Sequence, residues 1–262
     1  MSPQGPFTRP LAVVTGASSG IGRVFAHRLA DREHDLVLVA RNDEALQRLA
    51  DEIADHARVH IDVISADLAT TEGVALVAGQ LSGAAVLVNS AGYGSVGSVI
   101  ELPEAEQVGQ IRLNIEALTV LSRAAAAGMT ERGRGAIINI GSTAGFQPIP
   151  YEATYAATKA YVASFSQALA EEVGGAGVRV LCVCPGYTAT GFADRAGAEF
   201  SQLPSVMVST PEHVVDTALR DLDRGRSMSI PGYLNAALAV GSKVSPTWLT
   251  RKVSGVLTKR TL

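Results

Sequence analysis

Tyr155 and Lys159 lie four residues apart in "TYAATKAYVASF" (154–165), an alanine-rich stretch whose packing asks for neither. At that spacing both side chains stand on one helical face, close enough for an ammonium to act on a phenol. An unperturbed tyrosine ionises near pH ~10, too high for acid–base work near neutrality. A neighbouring positive charge favours the phenolate and lowers that value. The pair reads either as a tuned acid–base couple or as an exposed tyrosine beside a solvated lysine. Tyr151 and Tyr161 are rival acids, but neither has a lysine four residues further on.

A second candidate is "VVTGASSGIGR" (13–23), an apolar run, a glycine-rich turn and the start of a helix. Gly16, Gly20 and Gly22 leave room for a tight turn and for close backbone approach to a diphosphate. Ser18, Ser19 and Ile21 complete the loop. The helix beyond supplies free N–H groups and a favourable dipole. The alternative is an ordinary strand–helix turn using glycine for its geometry.

The elements that must carry these residues alternate along the chain. Strands are expected at 11–15, 35–40, 59–64, 85–89, 136–141 and 178–185. Helices are expected at 21–31, 43–56 (Asn42 as N-cap), 71–80 and 104–129, around Tyr155, and from near Pro211. Strands so continuously apolar are buried on both faces, as in parallel sheets flanked by helices. The expected fold is α/β, a doubly wound Rossmann-type sheet of about seven parallel strands with its ligand crevice beyond their carboxyl ends. A chain of 262 residues suits one such domain, spanning 10–262 behind a disordered leader at 1–9 and carrying an irregular lid at about 187–210.

Composition excludes several classes. A net charge of −3 gives no global field toward nucleic acid or an anionic membrane. The N-terminus lacks an apolar signal region and no run reaches membrane-span length, so cytoplasm is the expected location. The two cysteines, Cys182 and Cys184, point to the same strand face and are expected to be buried, reduced thiols rather than a disulfide. The five histidines show no ligand spacing, so no metal site is expected.

"TGASSGIG" resembles the cofactor loop of the short-chain dehydrogenase/reductase family, and further motifs follow in that family's order. They are "ADL" (66–68), "NSAG" (89–92), Asn114, "IGS" ending at Ser142, "YAATK" (155–159) and "PGYTAT" (185–190), so the likeness covers roughly 10–235. It implies hydride transfer between a nicotinamide dinucleotide and a carbonyl or secondary alcohol. Asn114, Ser142, Tyr155 and Lys159 would form a catalytic tetrad. Tyr155 would supply the proton, Ser142 would hydrogen-bond the reacting oxygen, and Lys159 would also hold the nicotinamide ribose. Asn114 would fix a proton-resupplying water chain.

Asp67 and Leu68 would contact adenine, with Asn89, Ala91 and Gly92 lining the adenosine side. Pro185, Gly186, Thr188 and Thr190 would meet the nicotinamide end. Ser90 departs from the family's usual second asparagine, a position expected mainly to support the sheet.

At the end of the second strand, where NAD enzymes usually carry an acidic residue, stand Ala40 and Arg41. Arg41 reads as a solvated loop arginine or as a partner for a 2′-phosphate. The missing carboxylate favours the second, hence NADP(H) over NAD(H), although Ser19 stands where many NADP-preferring relatives have a second basic residue.

Tyr93, Phe146, Tyr151, Tyr187 and Phe192, with Ser142, would wall an apolar pocket for a hydrophobic substrate. The basic, apolar stretch 236–262 could lie on a membrane surface but reads more simply as packed on its own fold or on another subunit. The resemblance also implies a homodimer or homotetramer built through the helices at 104–129 and 154–173. A non-catalytic, dinucleotide-binding regulator is the rival from another class, and retention of Ser142, Tyr155 and Lys159 argues against it. A nucleotide-sugar epimerase or dehydratase would need a longer segment after residue 190.

Overall fold

The computed structural model describes residues 7–191, 208–233, and 235–237, 241, 250–252, 254 and 255 beyond them. Its strands are β1 (Leu11–Thr15), β2 (Asp35–Ala40), β3 (Ile61–Ser65), β4 (Ala84–Asn89), β5 (Gly135–Ile140), β6 (Val178–Val183) and β7 (Met228–Ser229). They form one parallel sheet in the order β3-β2-β1-β4-β5-β6-β7.

Alternating side chains bury both faces of this sheet. Ala12, Val14, Leu36, Leu38, Val88 and Ile138 pack under α1 (Gly20–Asp31), α2 (Asp43–Ala54) and α7 (Pro211–Asp223). Leu11, Val13, Val37, Val39, Leu87 and Ile137 pack under α3 (Thr71–Ala78), α5 (Leu118–Glu131) and α6 (Ala153–Gly174). Two covered faces explain the unbroken apolar runs. Strand order reverses between β1 and β4, whose last residues Thr15 and Asn89 are in register, so the crevice opens there.

Differences from expectation have local causes. The helix expected at 104–129 is α4 (Glu104–Ile111), a wide π-helical turn (Arg112–Ala117), then α5. Such turns change which way a side chain faces without interrupting the apolar pattern, and they recur at functional sites. β3 starts two residues later and ends one later than expected because it is an edge strand, half buried, where apolar residues mark its ends poorly. β7 is too short to read from a sequence.

Residues 1–6 of the expected leader lie outside the described residues. Phe7–Arg9 are tied down: the Phe7 ring packs edge-on against His60, and the Thr8 and Arg9 N–H groups donate to Asp35 Oδ2 at 2.9 Å. Asp35 Oδ1 accepts from the His60 N–H at 2.8 Å. Burial alone would raise the pKa of this fully buried acid, but the three N–H donors outweigh it and hold the carboxyl below the usual value.

A folded-state pKa depressed in this way adds stability above the unfolded value of ~3.9 and loses it as pH falls through the folded value. Asp35→Asn should therefore cost about 2 kcal/mol in urea unfolding at pH 7. That gap from the parent protein should close below pH ~4. A gap constant from pH ~7 to ~2.5 would contradict this.

Candidate active site

The glycine loop leaves β1 at Thr15 and enters α1 with φ of +66° at Gly16 and +55° at Gly20, left-handed values that glycine adopts freely. A β-carbon on Gly16 would stand 2.8 Å from the Ala91 nitrogen, and one on Gly22 only 2.3 Å from the Gly16 carbonyl oxygen. Thr15 Oγ1 locks the loop to the neighbouring strand by donating to the Val88 carbonyl and accepting from the Ser90 and Ala91 N–H groups. Thr15 directly precedes "GASSGIG", but nothing local in the sequence marks its anchoring role. Thr190 closes over the loop, its Cγ2 3.0 Å from where a Gly20 β-carbon would lie.

The opening of α1 therefore has backbone clearance and a glycine cradle, and Ser19 makes no side-chain cap at its start. This donor set fits a dinucleotide diphosphate. At the end of β2 no acidic side chain intervenes: Ala40 is followed by the exposed Arg41, whose carbonyl accepts from Ser65 Oγ at 3.1 Å. Asp67 caps its own turn by accepting from the Ala69 N–H, and Leu68 is buried.

"NSAG" turns its first two side chains to opposite sides. Asn89, 4% exposed, turns its amide into the interior, donating to Ser122 Oγ at 3.0 Å and to Asn139 Oδ1 at 2.9 Å. Asn139 in turn donates to Ser166 Oγ, so the sheet-supporting side chain is Asn89. Ser90, one residue on and facing oppositely, borders the glycine loop, its Oγ 3.2 Å from where a Gly22 β-carbon would lie. Gly92 lies against both Asn114 and Lys159, where a β-carbon would be 3.0 Å from Asn114 Oδ1 and 3.5 Å from Lys159 Nζ.

The expected tetrad converges. Asn114, in the π-helical turn and 1% exposed, accepts from the Tyr93 N–H and donates to the Tyr93 carbonyl and to Thr158 Oγ1. Ser142 follows β5 and starts a 3-10 turn (Thr143–Phe146), its Oγ accepting from the Ala144 N–H. The Ser142 side chain lies close enough to Tyr155 to act on the phenol's pKa. Lys159, 6% exposed, donates to the Ile140 carbonyl at 2.8 Å, with Nζ 5.7 Å from the Tyr155 ring centre. Below it Cys182 and Cys184 are buried, unbridged thiols with Sγ atoms 3.5 Å apart.

The electrostatics differ from the simple picture of a lysine lowering a tyrosine. Burial pushes the Tyr155 hydroxyl well above the ordinary tyrosine range, and the opposing influence is the nearby Ser142 side chain. Burial also pulls the Lys159 ammonium down, to about 8.

Among the expected substrate-pocket residues, Tyr187 is 42% exposed and follows Gly186 out of β6. Its segment is held at the base where Thr188 bridges Ser209. Tyr151 adopts φ +69° and its carbonyl accepts from Gly97 N–H. Phe146 packs against the small cluster formed by Leu118, Val162, Ala163 and the two cysteines.

Tyr93 is committed elsewhere. Its hydroxyl donates to the Glu106 carbonyl of α4, within the field of Arg41 and Asp67. Phe192 and most of the expected lid lie outside the described residues. Gly186 abuts Asn235, and Thr188 Oγ1 donates to the Gly186 carbonyl. From the expected tail, Ser254 is buried and donates to the Pro148 carbonyl. Among the described residues no His/Cys/Asp/Glu group could hold a metal, and no helix is long and apolar enough to cross a membrane.

Comparison with known proteins agrees with this geometry. Residues 10–200 match the short chain dehydrogenase family model. Very-long-chain 3-oxoacyl-CoA reductase of Bos taurus is 33% identical over 95% of this chain and 80% of its own. A short-chain dehydrogenase from Sphingobium yanoikuyae solved with NADPH is 35% identical, with a TM-score of 0.82 over 90% of this chain and 96% of its own. The bulky-bulky ketone specific alcohol dehydrogenase of Comamonas testosteroni is 35% identical, with a TM-score of 0.78 over 90% and 95% of the two chains. The glycine cradle and converging side chains thus belong to a member of the short-chain dehydrogenase/reductase family, an NAD(P)-dependent oxidoreductase acting on CH–OH or C=O groups.

Proposed function

We propose that this protein is an NADP(H)-dependent carbonyl reductase or alcohol dehydrogenase acting on a hydrophobic ketone, aldehyde or secondary alcohol. The observation that carries the reading is Tyr155 with Ser142 near it and buried Lys159 5.7 Å from its ring centre, reached from the glycine cradle through Gly92. The dinucleotide, when bound, supplies or accepts the hydride at the substrate carbon.

The chain's own residues manage the oxygen. Ser142 donates to the carbonyl oxygen and stabilises the charge that develops there. Tyr155 passes its phenolic proton to that oxygen during reduction and takes it back during oxidation. Its raised pKa keeps the phenol protonated at neutral pH, which suits it as an acid. Lys159, anchored on the Ile140 carbonyl, stabilises the phenolate left behind and holds the ribose hydroxyls. Both Asn114 amide protons are spent on Tyr93 and Thr158, so the residue is a clamp between the 93 loop and α6.

Arg41 supports the preference for NADP(H). It is exposed and makes no ion pair or hydrogen bond through its guanidinium among the described residues, at the position where a 2′-phosphate would arrive. The solved relative with NADPH supports the same choice. The relative named for bulky ketones supports a hydrophobic substrate.

Three outcomes test this reading. Tyr155→Phe should still bind NADPH in fluorescence titration while losing about 10²- to 10⁴-fold in turnover. Full activity in that variant would contradict the proton-donor role. Arg41→Ala should raise KM for NADPH by about tenfold or more and leave KM for NADH unchanged. Equal effects on both would remove the 2′-phosphate contact.

Finally, reductive kcat/KM should fall as pH rises through about 8, where Lys159 loses its proton. The phenol is not limiting there, because Tyr155 ionises later. A rate that stayed flat to pH ~10, the ordinary lysine range, would contradict it.

A further inference from the structure

Glu152 is an acid in the crevice that the mechanism above leaves unused. It lies three residues before Tyr155 and seven before Lys159, so the three occupy one face of the α6 line. The chain reaches it through a strained turn: Tyr151 has φ +69°, its carbonyl is held by the Gly97 N–H at 2.8 Å, and the Glu152 N–H donates to Ile149 at 3.1 Å.

The usual reason for a polar residue at a helix start does not apply. Glu152 is the N-cap of α6, yet its side chain makes no capping hydrogen bond, and the carboxyl has no hydrogen-bond or ion-pair partner among the described residues. It is only partly exposed, and burial raises its pKa with nothing opposing. Its field reaches the hydroxyls of both Tyr155 and Tyr187, so the carboxyl lies near the proton donor. A half-buried carboxyl without a donor is costly, and a ligand that brings the donor recovers that cost.

We propose that Glu152 is a specificity-determining residue that accepts a hydrogen bond from a hydroxyl on the substrate, near but separate from the reacting carbonyl. This rests on the reading of Tyr155 as the proton donor. Glu152 stands three residues before Tyr155 on the same face, so the hydroxyl lies a few carbons from the reacting carbonyl. The preferred substrate is therefore a hydrophobic hydroxyketone, or the diol it yields. A hydroxyl suits the site because a carboxyl accepts from it whether ionised or protonated, whereas an ammonium requires the ionised form. A substrate carboxylate at the same position meets like charge.

The test uses four ketones that share one apolar body and differ in a single group three carbons from the carbonyl: hydrogen, hydroxyl, ammonium or carboxylate. Reduction with NADPH is measured for the natural protein, Glu152→Gln and Glu152→Leu, and each is judged by kcat/KM relative to its own value for the unsubstituted ketone. That ratio is insensitive to how much protein is folded, and Gln preserves an acceptor if the Leu variant is too unstable to assay.

The natural protein should prefer the hydroxyketone by about tenfold. The preference should shrink in Gln and vanish in Leu, and discrimination against the carboxylate should be relieved in both. A hydroxyl preference unchanged in the variants, or none in the natural protein, overturns the role of Glu152 while leaving the reductase reading intact. A preference for the ammonium ketone that is lost in Gln overturns the choice of a hydroxyl. Absence of turnover with all four ketones counts against the reductase reading itself.

Discussion

A buried ammonium held on a main-chain carbonyl is the constraint on which the rest of this site depends. Lys159 is 6% exposed and spends a proton on Ile140, the last residue of β5. A charge so withdrawn from water is tolerated only where the surrounding backbone is fixed. The fixing comes from several directions. Gly145 of the 3-10 turn packs so closely on the Lys159 backbone that a β-carbon there would stand 2.6 Å from its carbonyl carbon. Asn114 ties the 93 loop to Thr158, the residue before the lysine. The thiols of Cys182 and Cys184 close the space beneath.

The sheet explains why these pieces meet. Parallel strands end together, so the segments after β1, β4, β5 and β6 emerge at one edge, and the reversal of order between β1 and β4 leaves a gap in which a ligand can lie. A buried polar ladder from Ser122 through Asn89 and Asn139 to Ser166 crosses the sheet just below that edge. Fully buried hydrogen bonds of this kind fix relative strand positions more sharply than apolar packing does. Precision at the crevice thus begins one residue beneath it.

Sequence and structure agree where the information is local. The glycine turn, the parallel strands and the convergence of Ser142, Tyr155 and Lys159 were legible because each depends on spacing along one element or on a short motif. What was not legible depends on partners far away in the chain. Nothing near Asn114 announces that Tyr93 and Thr158 will consume its amide, nor that a π-helical turn will aim it. The inward turn of the Asn89 side chain, with Ser90 facing the glycine loop, follows from strand alternation at a boundary one residue wide. Asp35 looks like a strand-start residue, and only the fold brings Thr8, Arg9 and His60 to it. Spacing suggested that Lys159 would lower the Tyr155 pKa, but burial of both groups reversed the larger effect.

The state of that lysine can be read directly by following its side-chain carbon and nitrogen resonances through a pH titration of the ligand-free protein, assigned with a Lys159→Arg variant. A midpoint near about 8 is the result expected of an ammonium stripped of water and held on one carbonyl. A midpoint in the ordinary range near ~10.4 would mean a solvated side chain, and the organisation of the site described above would be wrong.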